Sequence, residues 1–304
     1  LKRPRIWGAL TLLLLAASCA TTPRGSLHLP DGAPDFSLLP PGANVYLWAD
    51  TQAARPVLEI LSLGGLNSRD AAQILDRTTA VMAGFYPPGG EQSFYLAGQG
   101  NYPSGGARFS MGLSGDWSRI RSAAGGRYWH SASANLGVAL GPHLAMVSDG
   151  DPLSVSSAAG EETLVPQGFE DFRRPLALAG WLGNPLSTLD SFMAFLGLPL
   201  QIPAQEFYFG LDSPSPYEYE MVLMIKADSP SQAGSLLALF STARFFLLSA
   251  MSLQGADTPV LPIQEAGALL FSNLPRQEGD SLILRTPALD LDHIALLFFL
   301  FSLQ

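Results

Sequence analysis

The chain has 304 residues, a formal net charge of −9, 47% hydrophobic and 14% charged residues, and a single cysteine. The acidic balance repels phosphate backbones and argues against nucleic acid as a partner, and one cysteine excludes a disulfide framework. Stability has to come from an apolar core, for which a charged fraction below the usual quarter leaves ample material.

The N-terminus has three parts. Lys2, Arg3 and Arg5 form a basic start, Ile6 to Ala17 an apolar run, and Ser18-Cys19-Ala20 a small-residue junction. This is the grammar of an export signal. The apolar run is too short for an uncleaved span, which needs about 20 residues. The junction resembles a bacterial lipoprotein signal of the relaxed, spirochaete-like form. The usual lipobox is Leu, two small residues and Cys; here the four residues are Ala16-Ala17-Ser18-Cys19, with Leu15 one place further upstream. An ordinary signal-peptidase cut after Ser18 also fits, because Ala16 and Ser18 are both small. The resemblance implies that the Cys19 thiol receives a diacylglyceryl group and becomes the new N-terminus. The membrane is then a partner through the acyl chains, each buried methylene contributing about 0.8 kcal/mol. Ala20 stands where inner-membrane lipoproteins often carry Asp, which implies sorting to the outer membrane. A lone exposed thiol invites oxidation, a liability that a thioether removes. Loss of Lys2, Arg3 and Arg5 takes the charge from −9 to −12 and leaves no Lys/Arg cluster in the mature part beyond the pair Arg173-Arg174.

After the signal peptide at 1–18, residues 19–42 are rich in Pro, Gly and small polar residues and read as anchor and tether. The body reads as α+β: two pseudo-repeated βαββαβ-like sub-domains with antiparallel sheets, at 43–152 and 175–304, joined by a connection at 153–174. Each half opens on an extended run, Asn44–Ala49 and Leu176–Leu182, followed by helices predicted over Gln52–Leu63 and Pro185–Leu196. The first half carries an additional helix and strand within Ser68–Tyr86. Gln92–Gly98 and Gln205–Leu211 are aligned as the first strands of hairpins whose second strands are Arg108–Leu113 and Tyr217–Ala227. Helices are then expected over Asp116–Ala124, with Asp116 as its N-cap, and over Ser231–Leu253, with Asp228, Ser229 and Pro230 at its start. Strand pairs follow: Gly137–Leu140 with Leu144–Ser148, and Ala268–Asn273 with Ser281–Thr286.

No residue pattern carries a reaction. Of the four histidines, His28 sits in the tether, His130 in a strand-like aromatic run, His143 in a Gly-Pro-His turn, and His293 in Asp290-Leu-Asp-His293. A helical zinc pair needs ligands at i and i+4, whereas Asp290 and Asp292 are two apart and read as first-turn acids favoured by the helix dipole. Gly112-Leu-Ser-Gly115 is one residue short of a nucleophile elbow, and Ser131 points away from its neighbour His130 on a strand. Gly98-Gln-Gly100 begins like a dinucleotide fingerprint but runs into Pro103 and a turn. Glu218 and Glu220 share one strand face and read as a solvated pair.

The apolar excess remains. Ser231–Leu253 is apolar around most of its circumference, and Ile294–Phe301 continues the theme without the length to cross a bilayer. These features predict a lipid-anchored envelope protein that is a non-enzymatic binding or structural module, with no catalytic residues, no metal and no cofactor. Its further partner is a protein or a hydrophobic ligand; the alternatives are a carrier of hydrophobic ligands and a hydrolase with a dispersed site.

Overall fold

Alternating apolar residues and short turns give this chain its strands. In a computed structural model, residues 36–62, 75–87, 90, 92–154, 165–187, 202–215, 218–253 and 268–294 are described. The signal peptide, Cys19, the start of the tether and the run Ala295–Phe301 lie outside them, as do most of the helices expected near 68–74 and 186–196. The chain divides into two units, Leu1–Glu170 and Asp171–Gln304.

The first unit contains strands β1 (Val45–Asp50), β2 (Thr78–Phe85), β3 (Phe94–Gly100), β4 (Trp117–Arg121), β5 (Arg127–Ser131), β6 (Leu136–Leu140) and β7 (Leu144–Ser148). Helix α1 (Arg55–Ser62) follows β1, and α2 (Ser104–Leu113) follows β3. The strand order is β1-β2-β3-β7-β6-β5-β4, antiparallel throughout. Asp50 Oδ1 accepts from the Gln52 and Ala53 amides at 2.8 and 3.0 Å, turning the chain from β1 towards α1. One sheet face packs Phe94, Leu96, Leu136, Val138, Ala145 and Val147 beneath Ala107 and Met111 of α2. Those two helical residues are four apart, so they share a face. Tyr95, on the opposite face of β3, is fully buried, and burial raises its phenol pKa.

Helix α3 (Phe169–Arg173) carries the chain into the second unit, which holds β8 (Leu178–Leu182), β9 (Glu206–Ser215), β10 (Glu218–Lys226), helix α4 (Pro230–Leu253), β11 (Arg276–Glu278) and β12 (Ser281–Arg285). Its order is β8-β9-β10-β12-β11, again antiparallel. The sequence β8, β9, β10, helix, β11, β12 repeats β1, β2, β3, helix, β6, β7, and the spatial order matches strand for strand. The first unit inserts the β4–β5 hairpin. The pseudo-repeated α+β architecture is therefore present, with its internal equivalences shifted from those read in the sequence.

Three expectations are corrected. Arg108–Leu113 is the end of helix α2, not a strand; burial of Ala107 and Met111 outweighs the low helix propensity of Gly105, Gly106 and Gly112. The hairpin of the first unit is consequently β2–β3, so Phe94–Gly100 corresponds to β10 rather than β9. Asp116–Ala124 is not helical: Trp117–Arg121 is strand β4, paired in register with β5. Finally, the partner of β12 is Arg276–Glu278 instead of Ala268–Asn273. Gly279-Asp280 closes this hairpin as a two-residue turn, with Gly279 at φ 62°.

Gly100 sits where β2 bulges between Thr78 and Ala80. A Cβ there would lie 2.0 Å from the Arg77 carbonyl oxygen. Gly100→Ala is expected to cost about 1–3 kcal/mol, because a backbone atom has to move. A urea titration checks it; an unchanged midpoint would contradict the close approach.

Candidate functional site

The N-cap of α4 is built from residues predicted at its start. Ser229 Oγ accepts from the Gln232 amide at 3.3 Å, Gln232 Oε1 accepts from the Asp228 amide at 3.0 Å, and Pro230 opens the helix. Ala233 and Leu236 are buried against Ile202, Ile225, Leu282 and Leu284, with Leu237, Leu239 and Phe240 packed at the margin. Arg244 is directed back into its own unit: Nε donates to the Phe271 carbonyl at 2.7 Å and Nη2 to the Ser272 carbonyl at 3.0 Å. Arg244→Leu is expected to lower stability by about 1.5–3 kcal/mol, the range for hydrogen bonds from a charged donor, read as a fall in thermal midpoint. An unchanged midpoint would remove Arg244 from the packing of α4.

Immediately beyond, Phe245 and Phe246 are 66% and 65% exposed, their rings edge-to-face at 5.8 Å. The topological counterpart in the first unit, α2, leaves Phe109 and Leu113 at 70% and 74% exposure. These two are four residues apart and share a face opposite to the buried one. Each unit thus places bulky apolar side chains in water on the helix that follows its hairpin. Among the described residues, no helix is long and apolar enough to cross a membrane. Sequence reasoning missed Phe109 and Leu113 because it placed them on a strand; the signal was the i, i+4 spacing of Ala107 and Met111 on the other side.

The residues considered for chemistry are dispersed. His130 lies on β5, where its carbonyl accepts from Ser118 Oγ at 3.3 Å. His143 lies in the β6–β7 turn, its carbonyl accepting from the Gly100 amide at 3.0 Å. Ser131 caps the following turn through Ala134 N at 3.2 Å. Asp290 Oδ1 accepts from the His293 amide at 3.0 Å and lies 2.9 Å from His293 Nδ1. That backbone hydrogen bond is the main reason its carboxyl pKa sits below the ordinary value. The aspartate caps the start of the helical residues 291–294. Among the described residues no group of three His, Cys, Asp or Glu side chains is placed to hold a metal. Glu218 accepts from Ser215 Oγ at 2.5 Å, while Glu220 and Asp212 share Arg285 at 3.4 and 3.3 Å. Half-exposed, that ion-pair group reads as a surface cluster of small energetic weight.

Fold and surface together define an α+β protein of antiparallel sheets with exposed apolar helices, headed by a lipoprotein-like signal. Residues 33–158 match the family model described as the outer membrane-associated lipoprotein TP0453. This match agrees with the resemblance to envelope lipoproteins read from the N-terminus, and it extends the likeness to residues 33–158, under half of the chain. Three crystal forms of TP0453 are similar in structure at 19% identity. Form III has a TM-score of 0.57 over 87% of this chain and 97% of that one. Form IV gives 0.59 over 88% and 97%, and form I gives 0.55 over 87% and 96%. At that identity the likeness concerns the fold. No curated protein matches the sequence.

Proposed function

We propose that the protein is a non-enzymatic module, tethered to the outer membrane by acyl chains on Cys19, whose two units each meet the bilayer surface, the first through α2 and the second through α4. The observation that carries this reading is the exposure of Phe109 and Leu113 on one helix and Phe245 and Phe246 on its topological counterpart. Exposed apolar side chains of this size, carried by the topologically equivalent helix of each unit, mark an interaction face. A bilayer is the partner that a membrane-tethered body meets at no further cost of diffusion. The outer-membrane association of the TP0453 family supports the same partner. The helices lie at the interface rather than cross it, with aromatic rings at the headgroup boundary.

The test is depth-dependent quenching on vesicles, using the mature protein. Phe245→Ser with Phe246→Ser, and separately Phe109→Ser with Leu113→Ser, are expected to leave the folding stability within about 0.5 kcal/mol of wild type, since these side chains are already in water. Both should nevertheless reduce contact of the body with the bilayer, while anchoring by the acyl chains persists. Equal quenching in wild type and both variants would refute the seating of the helices.

A further inference from the structure

The inserted β4–β5 hairpin of the first unit carries a charge pattern that the acyl anchor does not need. Arg119 and Arg121 are two apart on β4 and so share a face. In the antiparallel register Arg119 stands opposite Trp129 and Arg121 opposite Arg127. The same face is apolar at its other end, where Trp117 and Trp129 pack against the core beneath α2. Towards Arg121 and Arg127 it becomes cationic. Arg108 on α2 completes the group, its Nη2 donating to the Leu140 carbonyl. Arg108, Arg119, Arg121 and Arg127, with Gly126, Trp129 and Leu140, line an open concavity of about 480 Å³ that has no acidic residue in its lining. Among the described residues no ion pair involves Arg119, Arg121 or Arg127.

The balance of charges makes this arrangement informative. The chain has 26 acidic and 17 basic residues, so an arginine placed at random would meet a carboxylate more often than another arginine. Instead, four converge on one hollow, and Arg121 faces Arg127 across the ladder, a like-charge pairing that weakens a hairpin. β4 ends its unit's strand order, and a charged edge discourages pairing with another chain. That role asks for outward charge along the edge. It does not explain the opposed pair, nor Arg108 arriving from the helix. Guanidinium groups are planar forks matched to phosphate oxygens, and a bound dianion would convert the repulsion into attraction.

We propose that the concavity between α2 and the β4–β5 hairpin binds a phosphate group through Arg108, Arg119, Arg121 and Arg127, with Trp129 as its apolar wall. The site is independent of how the body meets the membrane; only the identification of the phosphate as a lipid headgroup rests on the proposed seating of the helices. Phe109 is next to Arg108 in sequence and exposed, so a headgroup could occupy the hollow while the ring meets acyl chains.

The experiment uses the mature protein and two probes. Inorganic phosphate, compared with chloride at equal ionic strength, is expected to raise the thermal midpoint by roughly 2–4 °C once it exceeds its dissociation constant several-fold. The triple variant Arg119→Gln, Arg121→Gln, Arg127→Gln should lose the shift. Arg121→Gln alone, at an exposed position, should weaken it with the fold intact, and Arg121→Lys should restore it only in part. The second probe is hydrogen exchange of the 117–131 hairpin on phosphatidylglycerol vesicles against phosphatidylcholine vesicles. Protection on the anionic surface only, lost in the triple variant by roughly a hundredfold in partition, identifies a lipid headgroup. A thermal shift without such protection identifies a soluble phosphate as the ligand. Absence of both effects, or equal effects in wild type and the triple variant, overturns the site. Quenching at Phe109 and Phe245 in the same samples reports the helices separately, so loss of seating and loss of phosphate binding are told apart.

Discussion

Trp181→Ala is expected to destabilise the protein by about 3–5 kcal/mol, the range for deleting a fully buried aromatic side chain. Trp181 is 2% exposed on β8 and stands opposite Tyr208 of β9. Tyr208 is itself fully buried, and Phe172 of α3 stacks on it at 5.3 Å. Truncation would leave a void that these rings cannot fill without abandoning their stack, so relaxation recovers little. With no disulfide available, a chain of this kind has few other reserves. Trp181→Phe keeps most of the volume and should cost far less. Urea denaturation followed by far-ultraviolet circular dichroism measures both. A loss below about 1 kcal/mol for Trp181→Ala would mean that β8 is not packed as described.

The second large effect concerns the anchor. Cys19→Ser in the producing bacterium is expected to abolish incorporation of a labelled fatty acid and to move the protein out of the sedimented membrane fraction. One acyl chain gives only reversible attachment, with an association constant on the order of 10⁴ M⁻¹, and stable attachment needs a second chain or a basic patch. The exposed aromatic side chains of α2 and α4 are too few to replace two or three acyl chains, so the variant should behave as a weakly and reversibly bound protein. Full retention in the pellet would transfer the anchoring role from Cys19 to the body.

Much of the scaffold was legible because it obeys simple periodicities. The Gly-Pro-His turn fixed β6 and β7 nearly to the residue, and Asp228-Ser229-Pro230 marked the start of α4 because a hydroxyl cap and an N1 proline serve the first turn only. Legibility failed where local preference and packing disagree. Ser104–Leu113 contains three glycines and a brief alternation, and only its burial against β3, β6 and β7 makes it helical. That one error displaced the internal alignment by a strand and turned β4 into a supposed helix.

The same error hid the arginine cluster. On a helix Arg119 and Arg121 would diverge by some 200°, using about 100° per residue, whereas on a strand they align. The sequence reading accordingly found no basic grouping beyond Arg173 and Arg174. Cross-strand opposition of Arg121 and Arg127 depends on the turn between them, where Gly125 and Gly126 take φ values of 95° and 82°. Exposure is equally illegible: Phe245 and Phe246 resemble core residues in composition and differ from Leu236 only in what packs against them.

Mass spectrometry of the mature N-terminus, on protein taken from the membranes of the producing bacterium, tests the central claim most directly. The mature chain is expected to begin at Cys19 and to carry the mass of a diacylglyceryl group. A mature chain that begins at Cys19 with a free thiol, or one that retains residues 1–18, would contradict it.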